Sequence, residues 1–413
     1  MCKMNLILVL FFLMTSCHKE EIIPNPQGPS PNPFFDIKWF TRIDSTKEIV
    51  GTDITHYYKD WMIVTGDLSD PPTLIAFNKK TGKKDWTFVS KGINKLKINK
   101  SMIYNNLYIA DCSKGFVAID LDQKSIAWEI DLKPISGLTG SGLKIKDGFM
   151  YHTIYKNFGT EFTETHLVKI NLNTGEFITM FLYKGIDGGI ASISPTAFYD
   201  DIILNKSYII YNHSPNGDAS PPKSMQYIEA RDLNSLEVLW TTKVTDYYAT
   251  NGLHPPVIYK DIVITGGDWS MYGFDIKTGK LLWKTSIPGY TQFGIWNKTN
   301  HLIHGDRLYV NPGGFEVLCL HPATGAIIWN NPEGGPNCTD NMVYYKNMVV
   351  FTSWGYGSVM VLDALTGETL HRERPLPPAA SGDTYNNDVV YDPVTDMFFT
   401  SSYKNAVGFK INK

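Results

Sequence analysis

One unit, residues 271–283 with the sequence MYGFDIKTGKLLW, recurs along most of the chain. It begins with strand-forming residues, continues through the turn sequence DIKTG, and ends in an apolar run that closes on a tryptophan. Asp favours such a turn because it can bond the backbone two residues on, and Gly adopts a positive φ without strain. The unit therefore predicts a β-hairpin. Equivalent turns begin at Asn78, Asp120, Asn171, Asp232, Asp275, His321 and Asp363.

Successive turns lie 42 to 61 residues apart, a spacing typical of propeller blades or solenoid repeats. Eight residues after the first turn residue, Thr179 and His371 stand in two of the units. The other five units carry a tryptophan there, namely Trp86, Trp128, Trp240, Trp283 and Trp329.

The two ends of the chain carry complementary halves of the unit. Residues 407–410 (VGFK) match residues 272–275 (YGFD), but no tryptophan strand follows them; residues 37–41 (IKWFT) match a tryptophan strand that no turn precedes. A ring could join both halves in one blade and so remove exposed sheet edges. The sequence therefore predicts, for residues 36–413, an all-β fold: an eight-bladed β-propeller of four-stranded blades, closed by pairing of the N- and C-terminal strands.

The composition agrees with this fold and narrows the class of partner. The 413 residues are 43% hydrophobic and 13% aromatic, as expected for an all-β protein with a large core. The net charge of −3 gives no reason to expect nucleic acid as a partner. The odd set Cys112, Cys319 and Cys338 predicts small buried side chains, and a Cys319–Cys338 bridge stays open.

The N-terminal residues 1–16 have the character of a lipoprotein signal peptide. Lys3 is followed by the apolar run LILVLFFLM, which is too short to span a bilayer comfortably. The sequence LMTSC then resembles a bacterial lipobox, which predicts lipidation of Cys17. The following HKEE resembles the export signal of Bacteroidetes surface lipoproteins. Residues 17–35 therefore form a lipidated N-terminus and proline-rich linker, and the expected location is the outer membrane, exposed at the cell surface or, alternatively, on the periplasmic side.

The repeat consensus, an apolar strand, then D-x-x-T-G and a tryptophan a few residues later, resembles the PQQ-like propeller repeat. This family includes quinoprotein dehydrogenases and outer-membrane assembly lipoproteins of the BamB type. The resemblance implies that each tryptophan stacks over the turn of a neighbouring blade, where glycine leaves room for a flat indole. The tryptophans with this structural role are Trp39, Trp86, Trp128, Trp240, Trp283 and Trp329.

The resemblance also raises the possibility of a PQQ- and calcium-dependent dehydrogenase. Such enzymes commonly carry two adjacent cysteines, which this sequence lacks, and oxygen ligands at the ring centre. Residues that could supply oxygen ligands there are Asp340, Asn341, Asn386, Asn387 and Asp388, although such residues are equally expected as turn formers. We find no metal-ligand spacing, nucleophile elbow or P-loop, and predict no catalytic residue, metal or cofactor.

Binding is the function that the sequence favours. Two long intervals, around residues 155–165 and 207–225, place insertions between the second and third strands of their blades, on one rim of the ring. Aromatic residues expected near the same rim could stack on sugars or anchor a protein. They are Trp269, Tyr290, Trp296, Trp354 and Tyr356. The prediction is a non-enzymatic, monomeric, lipid-anchored envelope scaffold for a protein or glycan; the alternatives are the dehydrogenase and a BamB-like assembly factor.

Overall fold

The structure is a computed structural model that describes most of the chain from residue 34 onward. The described residues are 34–43, 55–66, 73–89, 98–112, 115–132, 138–139, 143–156, 164–184, 192–194, 196–201, 206–214, 225–245, 255–267, 270–286, 300–311, 316–334, 338–353, 356–375, 383–385, 387–402 and 405–412. The predicted signal peptide, Cys17 and nearly all of the proline-rich linker lie outside them. Among the described residues, no helix has the length and apolar character needed to cross a membrane.

Every named element in the described residues is a β-strand. The first half of the chain contains β1 Phe35–Arg42, β2 His56–Tyr58, β3 Trp61–Gly66, β4 Thr73–Asn78, β5 Lys84–Val89, β6 Ile98–Tyr104, β7 Leu107–Cys112, β8 Gly115–Asp120, β9 Ser125–Asp131, β10 Leu138–Thr139, β11 Lys144–Lys146, β12 Phe149–Lys156, β13 Glu164–Asn171, β14 Phe177–Lys184, β15 Ser192–Ile193, β16 Ala197–Asp201 and β17 Lys206–Ser214.

The second half continues with the same alternation of short strands. Its elements are β18 Gln226–Asp232, β19 Val238–Thr245, β20 Val257–Tyr259, β21 Ile262–Gly267, β22 Ser270–Asp275, β23 Leu281–Ser286, β24 Asn300–His304, β25 Arg307–Asn311, β26 Val317–Leu320, β27 Ile327–Asn331, β28 Cys338–Tyr345, β29 Met348–Ser353, β30 Ser358–Asp363, β31 Thr369–Glu373, β32 Val390–Asp392, β33 Met397–Ser401 and β34 Asn405–Ile411.

The strands form eight antiparallel sheets, which we number in chain order. Sheets 1 to 7 take consecutive strands: β2–β5, β6–β9, β10–β14, β15–β19, β20–β23, β24–β27 and β28–β31. Sheet 8 combines β32, β33 and β34 with β1. In sheets 3 and 4 two short strands share one neighbour, so the four-stranded order is retained. The prediction of an all-β propeller with four-stranded blades is confirmed.

Hairpin connections give the sheets two different ends. One end carries the turns from first to second and from third to fourth strand, and we call it the turn face. The opposite end, the loop face, carries the connections from second to third strand and from one sheet to the next. The two predicted insertions follow β12 and β17, second strands that end at the loop face; residues 157–163 and 215–224 themselves lie outside the described residues.

The predicted turn chemistry is present at the turn face. In sheet 5, Oδ1 of Asp275 accepts hydrogen bonds from the N–H groups of Lys277 (3.1 Å) and Thr278 (2.9 Å). Gly279 follows with φ +69°, a left-handed conformation that suits glycine. The side-chain oxygen thus satisfies backbone donors that the tight turn would otherwise leave without a partner.

Five of the six repeated tryptophans pack on a turn glycine of the next sheet, and Trp86 is the exception. Trp240 of sheet 4 donates its indole N–H to the carbonyl of Ile276 in sheet 5 (2.9 Å). Its ring covers Gly279, where an added Cβ would lie 2.5 Å from Cε3 of Trp240. Equivalent indole bonds to the next sheet are made by Trp39 to Lys79, Trp128 to Leu172 and Trp329 to Ala364.

Trp86 departs from this packing because the next turn lacks a glycine. Lys124 stands at the glycine position with φ +54°. Its Nζ lies 5.7 Å from the Trp86 ring, and that ring meets Trp61 edge-on at 5.4 Å. The indole is half-buried rather than buried. A cation–π contact therefore occupies the place of the glycine stack.

The core is divided between neighbouring sheets rather than placed at one centre. Sheets 1 and 2 share one apolar cluster, and each later neighbouring pair shares another. Further clusters join sheet 7 to sheet 8 and sheet 8 to sheet 1. The buried Lys79 Nζ also contacts Asp392 Oδ2 at 2.6 Å, linking sheet 1 to sheet 8.

Candidate functional site

The aromatic residues predicted to bind a partner were expected near one rim of the ring, at the loop face. Trp269, Tyr290, Trp296 and Trp354 lie outside the described residues, so their role stays a prediction. Tyr356 is described and is half-buried against the apolar cluster between sheets 6 and 7. Cζ of Arg372 lies 3.8 Å from the centroid of its ring. Tyr356 therefore already has a packing role, and a partner could reach only its remaining exposed part.

The residues considered as oxygen ligands do not form a cation site in the described part of the chain. Asn386 and the side chain of Asp340 lie outside it. The amide of Asn341 donates to the carbonyl of Val389 (3.2 Å), and the amide of Asn387 donates to Oγ of Ser401. Across the described residues, no three His, Cys, Asp or Glu side chains converge as metal ligands.

Within the described residues, the amides of Asn341 and Asn387 are thus engaged in hydrogen bonds within the protein. The backbone carbonyl of Asn387 accepts hydrogen bonds from Thr352 (2.8 Å) and Thr400 (3.1 Å). Carboxylate and carbonyl oxygens suit calcium only when several can face one point. The described bonds instead tie sheets 7 and 8 together near the loop face.

Described residues of two neighbouring sheets form an open cleft on the turn face. It lies between sheets 6 and 7 and has a volume of about 410 Å³. We call it the turn-face cleft. Its lining residues are His304, Gly305, Asp306, Arg307, His321, Ile328, Tyr344 and Leu365.

His321 lines the cleft at the position where other units carry Asp or Asn. In sheet 7, Oδ1 of Asp363 accepts from the N–H groups of Leu365 (2.8 Å) and Thr366 (3.0 Å). In sheet 6 the N–H of Thr324 instead donates to the backbone carbonyl of His321 (3.2 Å). Nδ1 of His321 is buried and has no hydrogen-bond partner in the part of the chain that the structure describes. The imidazole of His321 therefore does not cap its turn as the Asp and Asn side chains of the other units do.

Asp306 and Arg307 both line the cleft, but among the described residues only Asp306 has an oppositely charged partner. Asp306 accepts a hydrogen bond from the Tyr259 hydroxyl and lies 3.7 Å from Lys260 Nζ, both in or beside sheet 5. The Tyr259 hydrogen bond and then the Lys260 charge hold the pKa of Asp306 below its usual range. Among the described residues, Nη1 of Arg307 has one hydrogen-bond partner, the Cys319 thiol, with Nη1 and Sγ 3.8 Å apart. The carboxylate is therefore compensated from sheet 5, whereas the guanidinium remains available to the cleft.

Cys319 itself is a buried, free thiol, so the disulfide to Cys338 that the sequence left open is absent. Burial raises the pKa of this thiol to about 11, even though Arg307 lies beside it. Cys112 is likewise buried and free. Both side chains act as small apolar groups, as predicted.

A second surface feature is the outer strand of sheet 3. β14 pairs only with β13, so its other edge carries unpaired backbone groups among the described strands. Ile178 and Phe181 on this strand are 57% and 54% exposed. Phe181 lies opposite His166, towards the loop face and the insertion that follows β12. Sequence reasoning missed this feature because the strand reads as an ordinary apolar blade strand.

Comparison with known proteins supports the fold and the repeat. A family model described as outer membrane protein assembly factor BamB matches residues 294–407. Among curated proteins, tetrathionate hydrolase of Acidithiobacillus ferrooxidans is 24% identical over 293 residues. The match covers 68% of this chain and 54% of that protein, so the chain spans about half the length of this relative.

Solved structures show the same architecture at low sequence identity. Quinohemoprotein alcohol dehydrogenase ADHIIG from Pseudomonas putida HK5 aligns with a TM-score of 0.62 at 13% identity, covering 91% of this chain and 76% of the enzyme. Sqt1 of Saccharomyces cerevisiae aligns with a TM-score of 0.63 at 11% identity, covering 92% and 100%. At these identities the likeness shows the fold alone.

Four-stranded blades, Asx-capped turns and indoles stacked on turn glycines define a propeller of repeated hairpin units. The matched family model agrees with that class. Residues 294–407 match this family directly, and the other described sheets repeat the same hairpin unit, so the chain resembles the PQQ-like β-propeller family.

Proposed function

We propose that this protein is a lipid-anchored envelope propeller that acts as a non-enzymatic binding scaffold, with a protein as its main partner. The exposed apolar edge of β14 beside the lengthened loop-face hairpins is the observation that carries the proposal. The predicted lipid on Cys17 would hold the propeller at the outer membrane, and the linker would separate it from the bilayer.

We also propose that the eight sheets form one ring of eight blades. The antiparallel pairing of β1 with β34, from Phe35 opposite Ile411 to Arg42 opposite Asn405, supports this arrangement. The apolar clusters that link sheet 7 to sheet 8 and sheet 8 to sheet 1 support it too. A ring leaves outer strands such as β14 as the open edges, because each inner strand faces the axis.

The partner surface would lie where sheets 3 and 4 meet the loop face. β12 and β17 are eight and nine residues long, whereas the second strands of most other sheets have five or six. These longer strands carry the two insertions towards one side of the ring. An edge strand with exposed Ile178 and Phe181 can accept an added strand or an apolar side chain from a protein partner.

The family match favours a protein partner over a glycan. Its description names an outer membrane protein assembly factor, a role that involves other proteins. For this chain, assembly of outer-membrane proteins would require the periplasmic side, whereas the export signal predicts the outer surface. Protease treatment of intact cells separates these locations, because surface protein is degraded and periplasmic protein is protected.

Site-specific photo-crosslinking tests the partner surface. A photoreactive phenylalanine analogue would replace Phe181 in one variant and Leu282 in the other. Leu282 is a matched control because it is 48% exposed on the outer strand of sheet 5. We expect a discrete adduct from position 181 in intact cells and none from position 282. Equal adducts at both positions, or none at position 181, would contradict the proposed surface.

The lipid anchor is tested separately. We expect the wild-type protein to incorporate labelled palmitate and to sediment with membranes. Cys17→Ala should abolish both properties, because the lipid attaches to the cysteine sulfur and the new N-terminus. Incorporation of label by the variant would disprove the assignment of Cys17.

A further inference from the structure

The turn-face cleft contains an arginine with no carboxylate partner among the described residues. Arg307 begins β25 and faces His304 across the hairpin. Its one hydrogen bond runs to a thiol, whereas a guanidinium has five N–H donors. Asp306, the adjacent acid, is engaged by Tyr259 and Lys260 on the sheet 5 side. A half-buried guanidinium in this position is complementary to an anionic group.

His321 supplies a second and independent indication. Side chains at this position in the other units cap their own turns, as Asn78, Asp120 and Asp363 do. His321 does not, and its buried Nδ1 lacks a hydrogen-bond partner. Buried polar atoms without partners are rare, since each costs the desolvation of that group. Because this atom is buried, the imidazole must turn towards the cleft before a ligand there can supply the missing bond.

The walls of the cleft are flat and apolar. The rings of His304 and Tyr344 are stacked, with centroids 3.5 Å apart and planes 12° apart. Ile328 and Leu365 are 40% and 51% exposed, so they present apolar surface to any bound molecule. A volume of about 410 Å³ falls within the range of small-molecule sites.

We propose that the turn-face cleft binds a small carboxylate that carries a flat apolar body. Arg307 holds the carboxylate, His321 completes its hydrogen bonding, and Ile328, Leu365 and the His304–Tyr344 stack contact the apolar body. The site lies at the opposite end of the sheets from the proposed partner surface. The proposal of a ligand site is therefore tested independently of the proposed scaffold function.

Binding of 4-fluorobenzoate, followed by fluorine NMR, tests the ligand class. Its neutral isostere 4-fluorobenzamide has the same apolar body, and inorganic phosphate is an anion without one. We expect the benzoate to bind at least about tenfold more tightly than either, because both charge-assisted bonds and apolar contact are needed. Equal binding of the benzamide, stronger binding of phosphate, or no binding of the benzoate would overturn the proposal.

Substitutions then assign the binding to this cleft. Arg307→Gln should weaken benzoate binding at least about tenfold, because a neutral amide replaces the bidentate cation. Arg372→Gln is the matched control, since it removes the same charge near Tyr356 outside the cleft. It should leave binding unchanged. Unchanged binding by Arg307→Gln, or the same loss in both variants, would contradict the site.

The variant His321→Asp tests whether a loss of binding could instead come from a loss of the fold. It restores the residue found at Asp275 and Asp363, so the turn should keep or gain stability. It also puts a carboxylate beside Arg307, which should compete with the ligand and abolish detectable binding. Benzoate binding retained by a stable His321→Asp protein would overturn the proposed role of the cleft.

Discussion

Single residues decide how each blade meets the next. A turn glycine with positive φ serves two purposes, because it relieves backbone strain and leaves space for the neighbouring indole. At Gly279 both purposes apply, since a Cβ would meet Trp240. At Gly148 only the first applies: its φ is +77°, and the nearest atom to an added Cβ is 3.9 Å away.

Alanine substitution at these two glycines separates backbone strain from indole packing. Gly148→Ala should cost about 1 kcal/mol of unfolding free energy, the usual cost of a left-handed non-glycine residue. Gly279→Ala should cost about 3 kcal/mol, because displacement of the Trp240 ring is added. Urea unfolding followed by tryptophan fluorescence measures both. Equal costs would show that the indole stack contributes nothing at this turn.

Sequence alone identifies the residues that repeat and is weaker on those that do not. The turn role of Asp275 and the stacking of Trp240 follow from a spacing that five of the seven complete units share. The site at His321 does not, because the sequence shows only a substitution at an otherwise Asx position. That its Nδ1 lacks a partner, and that Arg307 faces the same cleft, depends on packing between sheets 6 and 7.

At the scale of elements, the packing of the tryptophan strand depends on the third strand of its own sheet and on the turn of the next sheet. The residue opposite the tryptophan on the third strand is Gly408, Ala76, Ala118, Ala230, Gly273 or Cys319 in the six units that have one. It is Val168 opposite Thr179 and Val361 opposite His371. A small side chain is needed there because the indole lies over it. The departures seen in the sequence thus have a reason that only the register shows.

The contact between sheets 3 and 4 illustrates this dependence. Thr179 replaces the tryptophan, and the next turn carries Leu236 at φ +58° in place of glycine. Among the described residues, the shared cluster contains four buried side chains, Tyr151, Leu167, Leu182 and Leu233. His371, which also stands in place of a tryptophan, packs differently. It stacks on Phe34, with ring centroids 5.1 Å apart, because sheet 8 pairs β34 with β1 and has no turn between them.

Restoring the tryptophan packing between sheets 3 and 4 tests whether positions 168, 179 and 236 act together. Thr179→Trp alone should lower unfolding free energy by about 1–3 kcal/mol, because Val168 and Leu236 occupy the space of the indole. The triple variant Val168→Ala, Thr179→Trp and Leu236→Gly should be at least as stable as wild type. Denaturant unfolding gives the change in unfolding free energy for each variant. The difference between the triple variant and the sum of the three single variants measures the coupling between these positions. Additive effects would contradict the interdependence.

At the scale of the whole molecule, the proposed ring depends on contacts between the chain ends. Trp39 of β1 covers Gly408 within sheet 8 and Gly82 in sheet 1. The sequence could predict this because residues 37–41 and 407–410 are complementary halves of the repeat. It could not predict the buried pair Lys79–Asp392, since the two residues stand 313 positions apart in no repeated context.

That buried pair also marks sheet 8 as part of the same body. Burial would raise the pKa of Asp392, but hydrogen bonds from Lys79 and Thr395 outweigh it and hold the pKa below the usual value. The pair therefore stabilises the fold above the unfolded pKa of an aspartate, about 3.9, and this stabilisation is lost as pH falls through the lower folded pKa. The contact between sheets 1 and 8 should thus weaken only in strong acid.

A cross-link between the first and last strands tests the ring most directly. Asp36 and Lys410 are cross-strand partners in the β1–β34 pairing, and both are only partly buried. In the variant Asp36→Cys with Lys410→Cys, we expect a nearly complete intramolecular disulfide by mass spectrometry, absent from either single variant. The bond should raise unfolding free energy by about 2–4 kcal/mol. Failure to form it, or formation of intermolecular dimers only, would show that the chain ends do not share a blade.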